Sequence, residues 1–205
     1  SIDDLSGKRH CKAALQEAFS LPVNPDIPVI AGISRLADQK GFDLVASALD
    51  EMLSLNVQYV LLGTGERKYN ELFPELAKNH RDSFSIKVAY DNGLAHLIEA
   101  GADMFLMPSL YEPCGLNQLY SLRYGTVPIV RGVGGLEDTI IDDPRNPIAN
   151  TGFKFYDYTE EAMLEAIRRA RRAFENRTSW LSLVKRCMQQ DFSWEASAKA
   201  YSDLY

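Results

Sequence analysis

The sequence is poor in cysteine, in histidine and in long apolar runs, and each scarcity excludes a class of protein. Its 205 residues include three cysteines and three histidines, too scattered for a disulfide framework or a cysteine–histidine metal site. No apolar run approaches the roughly 20 residues that a membrane-spanning helix requires. We therefore expect a protein of a reducing compartment that binds no metal ion and does not span a membrane.

Positive charge is also in short supply. Lysine and arginine number 22 against 28 acidic residues, for a net charge of -6. Such a chain has no broad electrostatic attraction for DNA or RNA, although a few local cations can still bind a small phosphate ligand. We expect no nucleic-acid partner.

Short apolar runs alternate with helical patterns along most of the chain. Several runs lack polar alternation, which is typical of strands covered on both faces. The alternation predicts an α/β fold, a Rossmann-like parallel sheet of about six strands with helices on both faces, and C-terminal helices after about residue 158. The predicted strands are 28–33, 57–62, 84–89, 103–107, 127–130 and, more weakly, 152–155.

Candidate ligand groups follow the first three predicted strands, at the edge of the sheet where ligands bind. Arg35 and Lys40 suit a diphosphate, which a guanidinium and a lysine hold together, unless they are ordinary surface cations. Gly63 and Gly65 indicate a tight turn and, secondarily, a close approach to a ligand. Tyr90 either stacks on a base or belongs to the core.

The loop after the fourth strand is the richest in candidates. Glu112 precedes a proline and is either a carboxylate beside a bound sugar or an exposed loop acid. Gly115 lets a phosphate approach the amides at the start of the next helix. Cys114 has no histidine nearby in sequence, so neither a nucleophilic nor a metal role is favoured. The glycine-rich segment 131–138 suits contacts to phosphate or sugar, or a flexible connection.

Together these loops resemble the C-terminal domain of glycogen and starch synthases, which use ADP-glucose and have a GT-B architecture of two Rossmann-like domains. The resemblance covers nearly the whole chain, and the run Glu-Pro-Cys-Gly-Leu-x-Gln-Leu-Tyr is its most specific part. The matching segments are 34–36 with 39–41, 63–65, 112–116 with 118–120, 123–128, and 134–136 with 138–139.

The resemblance implies a role for each candidate residue. Arg35 and Lys40 would hold the donor diphosphate and stabilise it as it leaves, and Glu112 would face the glucose ring, so we assign these three to catalysis. Tyr90 would stack on adenine. The remaining predicted substrate-binding residues are Gly63, Gly65, Cys114, Gly115, Leu116 and Asn117. Many relatives have threonine at position 117, so we expect a backbone contact to phosphate there.

The implied reaction transfers glucose from ADP-glucose to the non-reducing end of an α-1,4-glucan, with retention and without a cofactor. Residues 1–205 would form the nucleotide-sugar-binding domain, with the glucan and a separate N-terminal domain as partners. The Lys-x-Gly-Gly-Leu motif of that domain is absent. We expect the chain to fold alone, to show little synthase activity alone, and to come from a bacterial cytoplasm rather than a plastid stroma.

The sequence also leaves two other functions open. The shared Glu-Pro-x-Gly-Leu run also permits another retaining GT-B glycosyltransferase that uses UDP-glucose. The cations and glycine loops permit a non-catalytic module that binds a nucleotide or a glucan. A dehydrogenase is disfavoured because segment 32–35 lacks the dinucleotide-binding glycine pattern.

Overall fold

The computed structural model describes residues 1–203, and these form an open, fully parallel sheet of six strands. All six strands predicted from the apolar runs are confirmed. They are β1 (Val29–Ile33), β2 (Gln58–Leu62), β3 (Phe84–Lys87), β4 (Met104–Met107), β5 (Val127–Arg131) and β6 (Phe153–Phe155). The strand order is β3-β2-β1-β4-β5-β6, and every neighbouring pair is parallel.

Helices cover both faces of the sheet, as predicted. They are α1 (Ser6–Ala18), α2 (Phe42–Ser54), α3 (Arg67–Asn79), α4 (Asn92–Gly101), α5 (Asn117–Tyr124), α6 (Gly135–Thr139), α7 (Glu160–Glu175), α8 (Arg177–Met188) and α9 (Trp194–Ser202). None of these helices, within residues 1–203, has both the length and the apolar character needed to cross a membrane.

The core is divided between the two faces of the sheet. Alternate residues of β1 belong to different clusters, because successive side chains of a strand point to opposite faces. Val29 packs with Leu15 of α1 and Ile98 of α4, whereas Ile30 packs with the buried residues of α2, α3 and α7. Both faces of the sheet are therefore buried, which leaves the ends of the strands as the places for a ligand.

The ends of several helices match local signals in the sequence. Gly125 adopts φ +72° directly after α5, the left-handed conformation that glycine supplies at a helix C-terminus. Thr159 caps α7 by accepting a hydrogen bond from the amide of Ala162, and Asp91 caps α4 by accepting one from Leu94. The last cap fixes the direction in which α4 leaves the carboxyl edge of the sheet.

The order of the strands reverses direction between β1 and β4. The chain proceeds outward from β1 to β2 and β3, then returns to place β4 on the other side of β1. A crevice opens at such a switch point because the connections that follow the two strands leave toward opposite faces. The loops after β1 and β4 therefore flank the position where a ligand is expected.

Candidate functional site

The loops after β1 and β4 are joined to each other at the switch point. The amide of Leu110 donates to the carbonyl of Gln39 at 2.9 Å. Gly41 has φ +77°, and a Cβ atom there would lie 2.1 Å from the carbonyl oxygen of Pro108. Only glycine fits this contact. The contact holds the loop after β1, which carries Arg35 and Lys40, against the loop after β4.

This contact places Lys40 and Glu112 side by side. Lys40 Nζ lies 2.5 Å from Glu112 Oε2, although the two residues are 72 positions apart in the sequence. Glu112 is only 7% exposed, so its interpretation as an exposed loop acid is wrong. Ser109 Oγ donates to the same carboxylate oxygen at 3.4 Å. The two predicted residues thus form one charged centre.

The glycine-rich loop after β5 packs against the backbone of the loop that carries Glu112. The amide of Gly135 donates to the carbonyl of Glu112 at 3.1 Å. A Cβ atom on Gly134 or on Gly135 would lie 2.2 Å or 2.1 Å from the carbonyl oxygens of Glu112 and Cys114. The glycines of this loop therefore allow close packing of two backbones.

Two adjoining cavities open at the carboxyl edge of the sheet. The smaller, of about 290 Å³, is bordered by Lys40, Glu112, Gly115, Leu116 and Asn117. The larger, of about 680 Å³, is bordered by Arg35, Gly63 and Tyr90 and by one face each of α4 and α5. Ile33, Ser34 and Asn117 border both cavities. The arrangement suits an elongated ligand whose two ends differ in chemistry.

The two predicted phosphate-binding cations lie in different cavities. Lys40 is half-buried and borders the smaller one, whereas Arg35 is exposed and borders the larger. Arg35 Nη2 donates to Gln39 Oε1 at 3.1 Å, and Arg35 makes no ion pair within residues 1–203. Its guanidinium therefore keeps donors that a ligand at the junction of the cavities can use.

Gly63 and Gly65 lie where the loops after β1 and β2 run side by side. A Cβ atom on Gly63 would lie 1.9 Å from the carbonyl oxygen of Ser34, and one on Gly65 would lie 2.1 Å from that of Leu36. Contact between the loops alone accounts for both glycines. Gly63 also borders the larger cavity, whereas Gly65 is not among its lining residues. Their predicted contact with substrate stays a prediction.

Tyr90 stands at the mouth of the larger cavity. Its side chain is 93% exposed, so the alternative of a core tyrosine is wrong. It directly precedes the capping residue Asp91 and follows the end of β3. An exposed aromatic ring at a cavity mouth can stack on a base.

The start of α5 divides the two cavities. Gly115 has φ +72° and leads into Leu116 and Asn117, where the first amides of the helix lack intrahelical partners. Asn117 Nδ2 donates to the carbonyl of Ile33 at 2.7 Å, so this side chain ties α5 to the end of β1. Cys114 is exposed and lies outside the lining of the smaller cavity.

Several residues of the cavities were not among the sequence candidates. They are Ser109 beside Glu112, and His96, Glu99, Tyr120 and Tyr124 on α4 and α5. Tyr120 and Tyr124 lie in the matching segments 118–120 and 123–128, which was a usable signal, whereas His96 and Glu99 lie outside the matching segments. In the part of the chain that the structure describes, no group of three or more histidine, cysteine or acidic side chains could hold a metal ion.

Fold and site together define a Rossmann-like domain with room for a small anionic ligand at the carboxyl edge of its sheet. Residues 15–180 match the model of the family described as glycosyl transferases group 1. The match covers well over half of the chain, and the chain therefore belongs to the group 1 glycosyltransferases.

Among curated proteins the chain is similar to bacterial glycogen synthases. It is 54% identical over 205 residues to the glycogen synthase of Anaeromyxobacter sp. (strain Fw109-5), which covers all of this chain and 43% of the relative. It is 50% identical over 207 residues to that of Koribacter versatilis (strain Ellin345), again over the whole chain and 42% of the relative. The chain spans less than half the length of these relatives.

This chain is also similar to solved structures, two of which we compare with it. The catalytic domain of starch synthase IV from Arabidopsis thaliana, bound to ADP and acarbose, superposes with a TM-score of 0.92 at 35% identity, over 100% of this chain and 43% of that one. Anabaena HepE in complex with UDP and glucose gives 0.72 at 14% identity, over 95% and 51%, and at that identity the likeness shows the fold alone. The fold that the sequence predicted, the C-terminal half of a GT-B architecture, is confirmed.

Proposed function

We propose that this chain is the donor-binding half of a glycogen or starch synthase that transfers glucose from ADP-glucose to an α-1,4-glucan with retention. The observation that carries the proposal is the pair of joined cavities, with Lys40 and Glu112 in one and Arg35 and Tyr90 in the other. The glycogen synthase relatives and the ADP-bound starch synthase support the choice of substrate class.

The shape of the site suggests how the donor lies. We place the diphosphate at the junction of the cavities, between Arg35 in the larger and Lys40 in the smaller and beside the amides at the start of α5. The glucose ring then enters the smaller cavity beside Glu112, and the nucleoside enters the larger cavity past Tyr90. The volumes agree with this order, because the larger cavity measures about 680 Å³ and the smaller about 290 Å³.

In this pose the charged centre stabilises the reacting groups electrostatically. Negative charge develops on the diphosphate as it leaves, and fixed cations at that position lower the barrier. Glu112 is held by Lys40 and Ser109, so its carboxylate is positioned to orient the sugar and to balance its developing positive charge. The chemistry needs no cofactor, since ADP-glucose carries its own leaving group.

The glucan acceptor would bind between this domain and a second domain of a longer protein. We propose that the longer protein acts in a bacterial cytoplasm, in keeping with the organisms of the relatives. Transfer by this chain alone should be slight, because the acceptor cleft and its closure need the other domain.

The test of the donor site is calorimetric titration of the chain with ADP. We expect Arg35→Ala and Lys40→Ala each to weaken binding by about tenfold or more, because each removes a charge-assisted contact to the diphosphate. Lys78→Ala is the matched control, since Lys78 is an exposed lysine of α3 paired with Glu75. ADP binding that survives both site variants would refute the diphosphate assignment.

Titration with UDP tests the choice of donor. We expect ADP to bind the wild-type chain more tightly than UDP. A clear preference for UDP would favour another retaining GT-B enzyme and would rule out the ADP-glucose assignment. Nucleotide binding by the chain without transfer by the longer protein would favour a non-catalytic module.

A further inference from the structure

The larger cavity extends between α4 and α5, and its lining includes buried as well as exposed residues. Asn92, Ala95, His96 and Glu99 border it from α4, at the spacing that places residues on one helical face. Asn92 and His96 are exposed, whereas Glu99 is only 4% exposed. The lining of the cavity along α4 therefore passes from the exposed Asn92 to the buried Glu99.

Half of that carboxyl group has no partner. Glu99 Oε2 accepts a hydrogen bond from Ser121 Oγ at 2.8 Å, whereas the buried Oε1 has no hydrogen-bond partner within residues 1–203. Buried polar atoms are nearly always paired, and an exception calls for an explanation such as a ligand. Oε1 is closed to solvent in this conformation, so a ligand atom supplies the missing partner when the Glu99 side chain turns toward the cavity that it borders.

The surroundings of Glu99 favour the neutral carboxylic acid. Burial raises the pKa of Glu99 to about 8, against the opposing effects of Ser121 and of Lys8. Lys8 reaches this region from α1 and is half-buried, and the loss of solvent around its ammonium group lowers its pKa to about 8. His96 and Tyr124, hydrogen-bonded to each other at 2.9 Å, border the same cavity. A neutral Glu99 has one O–H donor to offer and does not repel an anionic nucleotide.

We propose that Glu99 donates a hydrogen bond from Oε1 to the nucleoside of the nucleotide bound in this cavity. The inference rests on the proposed donor site, in which the phosphates lie at the opposite end of the cavity, beside Arg35. Adenine nitrogens and ribose oxygens are the acceptors that the nucleoside brings to Glu99. Glu99 is thus a nucleoside-binding residue in addition to Tyr90.

The first test compares Glu99→Leu with Glu99→Gln in ADP titrations at pH 7. Leucine removes the donor at similar size, and we expect ADP to bind about five- to tenfold more weakly, the usual effect of losing one hydrogen bond. Glutamine is neutral and keeps a donor, so it should bind ADP within about twofold of the wild type. Inorganic pyrophosphate lacks a nucleoside and should bind all three proteins equally.

The second test uses pH, because a merely structural role would not respond to it in the same way. Between pH 7 and pH 9 the wild-type chain should lose about tenfold in ADP affinity as Glu99 gives up its proton. Glu99→Gln should show no such decline. A decline that persists in Glu99→Gln would assign it to Lys8 or to His96 and would overturn the proposal.

Other results would also overturn it. ADP binding by Glu99→Leu at wild-type strength, or an equal loss for pyrophosphate, would show that Glu99 does not contact the nucleoside. Thermal melting of each variant checks that it is folded, and Glu99→Gln carries the test if Glu99→Leu does not fold. A wild-type chain that binds pyrophosphate but not ADP refutes this inference and spares the diphosphate site, whereas one that binds neither refutes the donor site itself.

Discussion

Lys12 and Asp103 form an ion pair at the amino edge of the sheet, and Lys40 and Glu112 form another at the carboxyl edge. The first pair is 2.7 Å apart, with side chains 7% and 10% exposed. The second is 2.5 Å apart, with side chains 23% and 8% exposed. The same two kinds of group are thus held at similar distances but at opposite ends of the strands.

The two pairs differ in what else they contact. Lys12 donates to the carbonyl of Pro25 at 2.9 Å and lies 5.1 Å from the centre of the Phe174 ring. Asp103 accepts from the amide of Val29 at 2.9 Å. This pair borders a depression of about 740 Å³, yet both partners are already engaged. Within residues 1–203, the side chains of Lys40 and Glu112 have only Ser109 as a further hydrogen-bond partner, and the pair opens into a cavity. An ion pair saturated with hydrogen bonds stabilises the fold, whereas an unsaturated one can exchange partners with a ligand.

Breaking the buried pair should have the largest effect. Asp103→Asn leaves the charge of Lys12 buried without a counter-ion, and we expect a loss of about 3 kcal/mol in the free energy of unfolding. For a chain of this size, that corresponds to a melting temperature lower by roughly 6–12 °C. Urea unfolding measures the loss.

The double variant Lys12→Met with Asp103→Asn is the control for this prediction. It removes both charges and keeps an acceptor for Val29, so most of the stability should return. A single variant within about 1 kcal/mol of the wild type would mean that the two edges do not differ as argued.

Breaking the pair at the cavity should alter binding more than stability. Glu112→Gln leaves Lys40 charged at a solvent-accessible position, so unfolding should change by less than about 1 kcal/mol. Without the competing carboxylate, Lys40 attracts a diphosphate more strongly, and ADP should bind about threefold more tightly. Calorimetry measures the affinity.

Glu75→Gln supplies the matched control, because it removes the same charge from an exposed pair on α3. Its ADP affinity should equal that of the wild type. Weaker ADP binding by Glu112→Gln would contradict the proposed competition between carboxylate and phosphate for Lys40.

An exposed ion pair should give the smallest effect and sets the baseline. Arg67 and Glu71 are paired at 2.6 Å on the surface of α3, with side chains 89% and 64% exposed. Glu71→Gln should change the free energy of unfolding by less than about 0.5 kcal/mol, because solvent screens such pairs. A loss comparable to that of Asp103→Asn would show that burial is not what separates the pairs.

The contrast between the two pairs also explains what could be predicted from the sequence. Most of the strands were recognisable because they are short, mainly apolar runs, whereas β3 and β6 alternate with polar residues. Helix α1 was missed because its buried residues include Lys12 and Gln16, which hydrophobic periodicity counts as exposed. Helix α3 was also not predicted, because it contains Pro74 and its buried residues are Tyr69 and Phe73 alone.

The candidate site was predicted as separate residues rather than as a geometry. Lys40 and Glu112 were each selected for their position after a strand, but their ion pair depends on the contact of Gly41 with Pro108. Glu99 was missed because a buried acid on an apolar helix leaves no mark in the sequence. Such a group is recognised only in the structure, where its carboxyl oxygen lacks a hydrogen-bond partner.

The glycines that press backbone against backbone have a consequence for how such a site can change over time. Gly41, Gly63 and Gly134 each leave no space for even one methyl group between neighbouring loops. A change in the backbone of one of the loops after β1, β2, β4 and β5 therefore requires matching changes in its neighbours, so these loops should evolve together. A change in ligand preference would have to arise at the cavity mouth, where an exposed side chain such as Tyr90 can be replaced without moving its neighbours.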